Sequence, residues 1–191
     1  MWNLQSVNQV WFGVMHNAQL AHEMLEFIWN NYRELCERVD LDVMSPETLD
    51  VHVDNDSPVR PFRIAAWFAR QGYFISAWSL WEYYSRSLCQ SLSNQERKLG
   101  SESTVDWVER SLVANKRTFT DHSWFASANC VRNLIAHSGG RVDGTRGQPL
   151  LTRAQVAFPT LHTWQDGYLA FEHEHIADLH LKIEDFIEEA T

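Results

Sequence analysis

Two long runs with a period of three to four residues constrain this chain more than any other feature. Over residues 2–38, Leu4, Val7, Trp11, Val14, Ala18, Ala21, Leu25, Ile28, Tyr32 and Leu35 recur at steps of three and four, with no proline among them. Such spacing gathers apolar side chains on one stripe of an α-helix. One helix over residues 2–38 is expected, about 55 Å long at the usual rise per residue, with Gly13 as a bend point. A helix of that length overhangs a small domain and offers a face to a second subunit. The second run, from about Arg60 to Leu92, turns Ile64, Trp67, Phe68, Phe74, Ile75, Trp78, Trp81 and Leu88 toward a core.

The remaining segments punctuate these helices. Residues 40–59 are acidic, are broken by Pro46 and Pro58, and read as a loop. Residues 93–101 form a polar connector. A short helix is expected over Thr104–Ala114, capped by Thr104. Another starts at Asp121 as N-cap and ends near His137, stopped by Ser138-Gly139-Gly140. Residues 138–149 hold four of the eight glycines and read as a flexible loop. No Gly-Lys-Ser/Thr follows, so this is not a phosphate-cradling loop. Gln155–Trp164 and Tyr168–His173 flank Asp166-Gly167, the signal of a hairpin with a two-residue turn. A last amphipathic helix runs over Ile176–Ala190. The expected fold is mainly α: a single domain over 1–191, a helical bundle with a long N-terminal helix and a small β-hairpin before the C-terminal helix.

A hydrophobic fraction of 45% excludes a disordered chain. Nine tryptophans imply wide apolar helix faces. The three cysteines, Cys36, Cys89 and Cys130, are odd in number and far apart, which fits neither a disulfide framework nor a zinc ribbon and suits a reducing compartment. No leader pattern opens the chain and no run of apolar residues is long enough to span a bilayer, so a cytoplasmic protein without membrane association is expected. The net charge of −9 is uneven: −8 over residues 1–57, +5 over 110–153 and −7 over 166–191. The basic segment holds Arg110, Lys116, Arg117, Arg132, Arg141, Arg146 and Arg153, and suits either a local anion site or pairing with the acidic helices.

The chemistry-bearing candidates lie in the middle of that segment. On an ideal helix Asn129, Asn133 and His137 stack on one face, opposite a stripe of Trp124, Ala128, Val131, Leu134 and Ile135. Arg132 lies about 140° around from His137 and next to Asn133. A guanidinium, an amide and an imidazole near one helix end can cleave RNA without a metal. The imidazole relays protons near neutral pH and the guanidinium stabilises charge on the phosphate, while the RNA's own 2′-OH attacks.

The run Arg132-Asn133-Leu134-Ile135-Ala136-His137 resembles the R-x4–6-H motif of the HEPN domain family, including the polar residue after the arginine. The preceding aromatic-rich helix with Trp81-Glu82-Tyr83-Tyr84 is similar to that family's acid-bearing helix. The resemblance covers residues 60–190. It implies a helical-bundle homodimer with two motifs facing across the interface, a metal-independent endoribonuclease activity without cofactor, and a role in toxin–antitoxin, antiphage or RNA-processing systems. It further implies that Arg132 and His137 are catalytic and that Asn133 orients them. Glu82 and Asn129 would support the site, and Arg141 and Arg146 would hold the RNA backbone. A subgroup paired with nucleotidyltransferase antitoxins carries a tyrosine two residues after the histidine. Gly139 stands there in this chain, so that regulation is not carried over.

Plainer readings stand beside these. His137 also fits a helix-end histidine facing terminal carbonyls. Arg132 also fits a partner of an acid on the first helix, and Glu82 an ion pair with Arg86 four residues on. His162, His173, His175 and His180 have no established ligand spacing, and His173 and His175 alternate as on a strand, so no metal is expected. Cys130 reads as a small core residue. A noncatalytic module of the same kind, binding RNA, a nucleotide or a protein, and an acidic immunity or antitoxin-like protein masking a basic partner are the two alternatives to the nuclease.

Overall fold

The computed structural model describes residues 18–34, 59–92, 100–142, 145–164 and 167–190. Six helices and one two-stranded hairpin account for most of them. Helix α1 covers 18–34. The outer parts of the long N-terminal helix expected over 2–38, and nearly all of the loop expected over 40–59, lie outside the described residues. Within 18–34 the sequence period holds: Ala18, Ala21, Leu25 and Tyr32 are buried.

Helix α2, Val59–Leu92, is the central element and packs against the three helices introduced next as α3, α4 and α6. Tyr73, Phe74, Ala77, Trp78, Leu80, Trp81, Tyr84 and Leu88 are buried along it, so more than one of its faces is covered. Phe68, expected in the core, is 60% exposed. It stands next to Trp67, which takes the inward position and donates its indole N–H to Leu169 O at 2.9 Å.

Helix α3, Thr104–Ala114, has the predicted bounds but a different cap. The Ser103 hydroxyl accepts from the Asp106 amide at 3.1 Å, and Thr104 is the first helical residue, its hydroxyl donating to Glu82 at 3.0 Å. Helix α4 is His122–Ser138. Asp121 occupies its N-cap position without a side-chain cap bond and instead accepts from Lys182 at 3.0 Å, tying the start of α4 to the last helix.

The expected flexible loop at 138–149 and strand at 155–164 are corrected. Gly147–Ala154 forms a short helix, α5, packed along α4. Leu151, Ala154, Phe158 and Leu161 are its buried side and continuation, a three-and-four spacing that the glycines obscured. Pro149 fits because it stands in the first turn, where no intrahelical amide bond is lost. The hairpin is shorter than expected, β1 His162–Thr163 against β2 Leu169–Ala170. Its turn closes through Gly167 N–H to Trp164 O at 2.9 Å, with Trp164 N–H bonded to Tyr168 O at 2.8 Å. Three residues therefore link Trp164 to Tyr168, and Gly167 supplies the positive φ of 82° that such a turn needs.

The last helix, α6, is His173–Ala190, beginning three residues before the expected Ile176. His173 and His175 are in its first turn and not on a strand. The His175 Nδ1 accepts from the Glu172 amide at 2.9 Å, as the third-position side chain of a capping box does. The core is aromatic and joins these helices: Trp81 stacks on Phe125 with centroids 4.7 Å apart, and Phe186 packs edge-on against both. No helix among the described residues is long and apolar enough to cross a membrane.

Candidate functional site

Helix α4 sorts most of its residues by face as the sequence predicts. Ala128, Val131, Leu134 and Ile135 are buried against the core, while Phe125 and not the expected Trp124 is the buried ring of the first turn, Trp124 being half-buried. Asn129, Arg132 and Asn133 are half-buried, and His137 is exposed. The Arg132 Nη1 donates to Asn133 Oδ1 at 3.2 Å. That bond draws the guanidinium around the helix toward the face on which Asn133 and His137 stack, closing part of the 140° or so that separates Arg132 from His137 on an ideal helix. Among the described residues, no carboxylate of α1 or any other element pairs with Arg132.

The end of α4 is fixed by glycine chemistry. Gly139 and Gly140 have φ of 58° and 79°, and their amides donate to Ile135 O and Leu134 O, each at 3.0 Å. A Cβ on Gly140 would stand 2.5 Å from Gln71 Nε2 and 3.0 Å from Trp67, so only glycine lets the chain turn this close to α2. The following residues join the hairpin: Leu169 N–H donates to Gly140 O at 2.9 Å, and Val142 N–H to Gly167 O at 2.8 Å. The Ser138 hydroxyl lies 2.6 Å from Leu134 O and 2.8 Å from Arg141 O, linking helix end to loop. His137 thus projects from a braced helix end.

The structure brings some of the predicted residues to this end and keeps another away. Arg141 is exposed beside it, its guanidinium 5.8 Å from the centre of the Tyr168 ring. Arg146 is exposed at the N-cap position of α5. Glu82 is elsewhere. Because Gly140 abuts Gln71 while Phe125 stacks on Trp81, α4 runs antiparallel to this part of α2. Glu82 is eleven residues beyond Gln71, roughly 16 Å along the helix. Its carboxylate is engaged by Thr104 at 3.0 Å, so within one chain it bonds to the start of α3 and not to the motif.

Motif reasoning passed over one further cation near α4, Arg153. Cys130 lies within about 60° of Asn133 and 20° of His137 around the helix axis. Its thiol is pushed up by burial and held back by the charge of Arg153 on the neighbouring α5. Arg153 is exposed on α5. Its only signal in the sequence is membership of the +5 segment. The raised thiol pKa argues against Cys130 as a nucleophile.

Two histidines of α6 are held inside. His175 and His180 are buried, and burial depresses both imidazoles despite the carboxylates around them. His175 Nε2 is 2.9 Å from the Thr160 hydroxyl, which in turn donates to Glu174 at 2.6 Å. His180 Nδ1 is 2.8 Å from the Tyr73 hydroxyl, and burial, with Glu26 nearby, pushes the Tyr73 phenol far above its ordinary value.

No family model, curated protein or solved structure matches the chain. What the coordinates define is a mainly helical domain with a small antiparallel hairpin before its last helix, bearing a polar, basic helix end.

Proposed function

We propose that this protein is a metal-independent endoribonuclease of the HEPN type, acting as a homodimer through the end of α4. The single observation behind this reading is the Arg132–Asn133 hydrogen bond beside an exposed His137. It supports the reading because a cation and an amide share one helix end with a solvent-exposed imidazole.

The chemistry follows from those groups. His137 takes the proton of the RNA 2′-OH, which attacks the adjacent phosphorus. Arg132 stabilises the charge that builds on the phosphoryl oxygens. The 5′ oxygen leaves with a proton, and the products carry a 2′,3′-cyclic phosphate and a 5′-OH. One imidazole cannot be base and acid at the same moment, and His137 of a second copy supplies the other role. Asn133 orients Arg132, and Asn129 flanks it one turn earlier. Arg141, Arg146 and Arg153 bind backbone phosphates as exposed cations after α4 and on α5.

The test is RNA incubated with purified protein in excess chelator. Cleavage with cyclic phosphate ends is expected. Absence of cleavage, or its abolition by chelator, sinks the reading. The net charge of −9 favours a second one, a noncatalytic module of the same fold that binds RNA, a nucleotide or a partner protein, because nonspecific RNA binders carry positive charge. Expression of the active wild type should be toxic to cells and relieved by Arg132→Ala; a nontoxic, inactive wild type supports the binding module. A toxin role brings with it a cognate antitoxin as partner.

A further inference from the structure

A second chemical cluster lies on the other side of α2. Tyr73, which faces it, is about 160° around the helix from Gln71, which faces the end of α4. There Glu26 of α1 and His180 and Glu184 of α6 converge, with one ligand atom from each all within 4.8 Å of one another. His180 and Glu184 are four residues apart, on one face of their helix. We propose that Glu26, His180 and Glu184 bind one divalent transition-metal ion with zinc-like nitrogen and oxygen coordination, pinning α1 to α6.

The distances also suit ligation. His180 Nε2 is 3.5 Å from Glu26 Oε1 and 3.9 Å from Glu184 Oε2. The first is a long hydrogen bond and the second is beyond hydrogen-bond reach. Donor atoms around a tetrahedral zinc ion, at metal–ligand bonds of about 2.0–2.2 Å, stand about 3.4 Å apart, so small side-chain rotations close the site.

The imidazole is oriented in advance. The His180 side chain is 7% exposed, and the Trp29 ring packs on it with centroids 4.6 Å apart. The Tyr73 hydroxyl, 2.8 Å from Nδ1, occupies the ring nitrogen that faces away from the carboxylates. An N–H at Nδ1 donating to that hydroxyl leaves the Nε2 lone pair directed at the cluster, the outer-shell arrangement that metal-bound histidines use. Two carboxylates held this close repel each other, and a divalent cation between them removes that repulsion. Three protein ligands leave one position for water. His22, one turn before Glu26 on α1, is near enough for its charge to act on His180.

The site is independent of RNA cleavage, which needs no metal. Full-length protein stripped with chelator and dialysed is titrated with zinc chloride in a calorimeter. One zinc per chain is expected, with affinity lowered at least about 100-fold in the Glu26→Gln/Glu184→Gln double variant. Cobalt loaded in place of zinc should show weak ligand-field bands and no thiolate charge-transfer band. Failure of the folded wild type to take up zinc saturably overturns the proposal. So does a double variant that binds one zinc with unchanged affinity. Should that variant lose its helical circular dichroism, the cobalt spectrum of the wild type decides: a strong thiolate band assigns the metal to a cysteine and overturns the site.

Discussion

The two sides of α2 use histidine in opposite ways. Toward α4, His137 projects into solvent from a helix end braced by Gly139, Gly140 and the hairpin. Toward α1 and α6, His180 is buried under Trp29 and bonded to Tyr73, and His175 is buried and bonded to Glu172 and Thr160. The same residue type is left to solvent on one side and built into the packing on the other. The difference lies in the neighbours. Gly139 and Gly140 take up no volume around His137, whereas aromatic rings enclose the other two.

Substitutions that exchange these roles should have graded effects. Arg132→Ala is expected to lower RNA cleavage by roughly 10²–10³-fold, the loss of one charge-stabilising donor, without shifting the thermal midpoint; a fall in midpoint instead would make Arg132 architectural. Trp81→Ala, at the centre of the aromatic core, is expected to cost about 3–5 kcal/mol, read by urea unfolding. Gly140→Ala should cost about 1–3 kcal/mol, because the new methyl meets Gln71 and Trp67 at a positive φ. A neutral result there would mean that the end of α4 is not braced against α2.

Acid should act on the buried side first. Burial holds the folded-state pKa of His175 below its ordinary value, so the unfolded chain takes up a proton at about pH 6.5 while the folded chain does not. Stability is therefore level above that pH and falls as pH drops from there toward the folded value. Thermal melts from pH 7.5 to 5 should show this loss, and His175→Gln should reduce it, leaving the share of His180, whose imidazole burial also depresses. Ser103→Ala should cost about 1 kcal/mol by removing the cap of α3. The smallest effect is expected from Glu82→Gln: cleavage within about twofold of wild type, since on the helical rise Glu82 lies roughly 16 Å from the level of the motif.

Much of the fold was legible from spacing. The inward face of α1, the bounds of α2 and α3, and the glycine stop after His137 follow from period and punctuation, because helical spacing and helix-stopping residues are local to the chain. The region 147–175 was not legible in the same way. Gly147 and Pro149 resemble loop punctuation until the packing of Leu151 and Ala154 on α4 is known. His173 and His175 alternate as on a strand although they start a helix. A cap decided by Ser103 over its neighbour Thr104 turns on one φ/ψ pair that composition does not reveal. At the site, Arg132, Asn133 and His137 were legible as a motif on one helix. Arg153 was not, because only the docking of α5 brings it near Cys130. The Glu26–His180–Glu184 cluster was hidden because its members come from helices more than a hundred residues apart.

The most direct test compares wild type with His137→Ala, both folded and of equal oligomeric state, on one RNA in chelator. A fall in cleavage rate of at least about 10²-fold, the usual share of a general acid–base group, is predicted. Equal cleavage by the two proteins would contradict the assignment of the exposed histidine as the catalytic one.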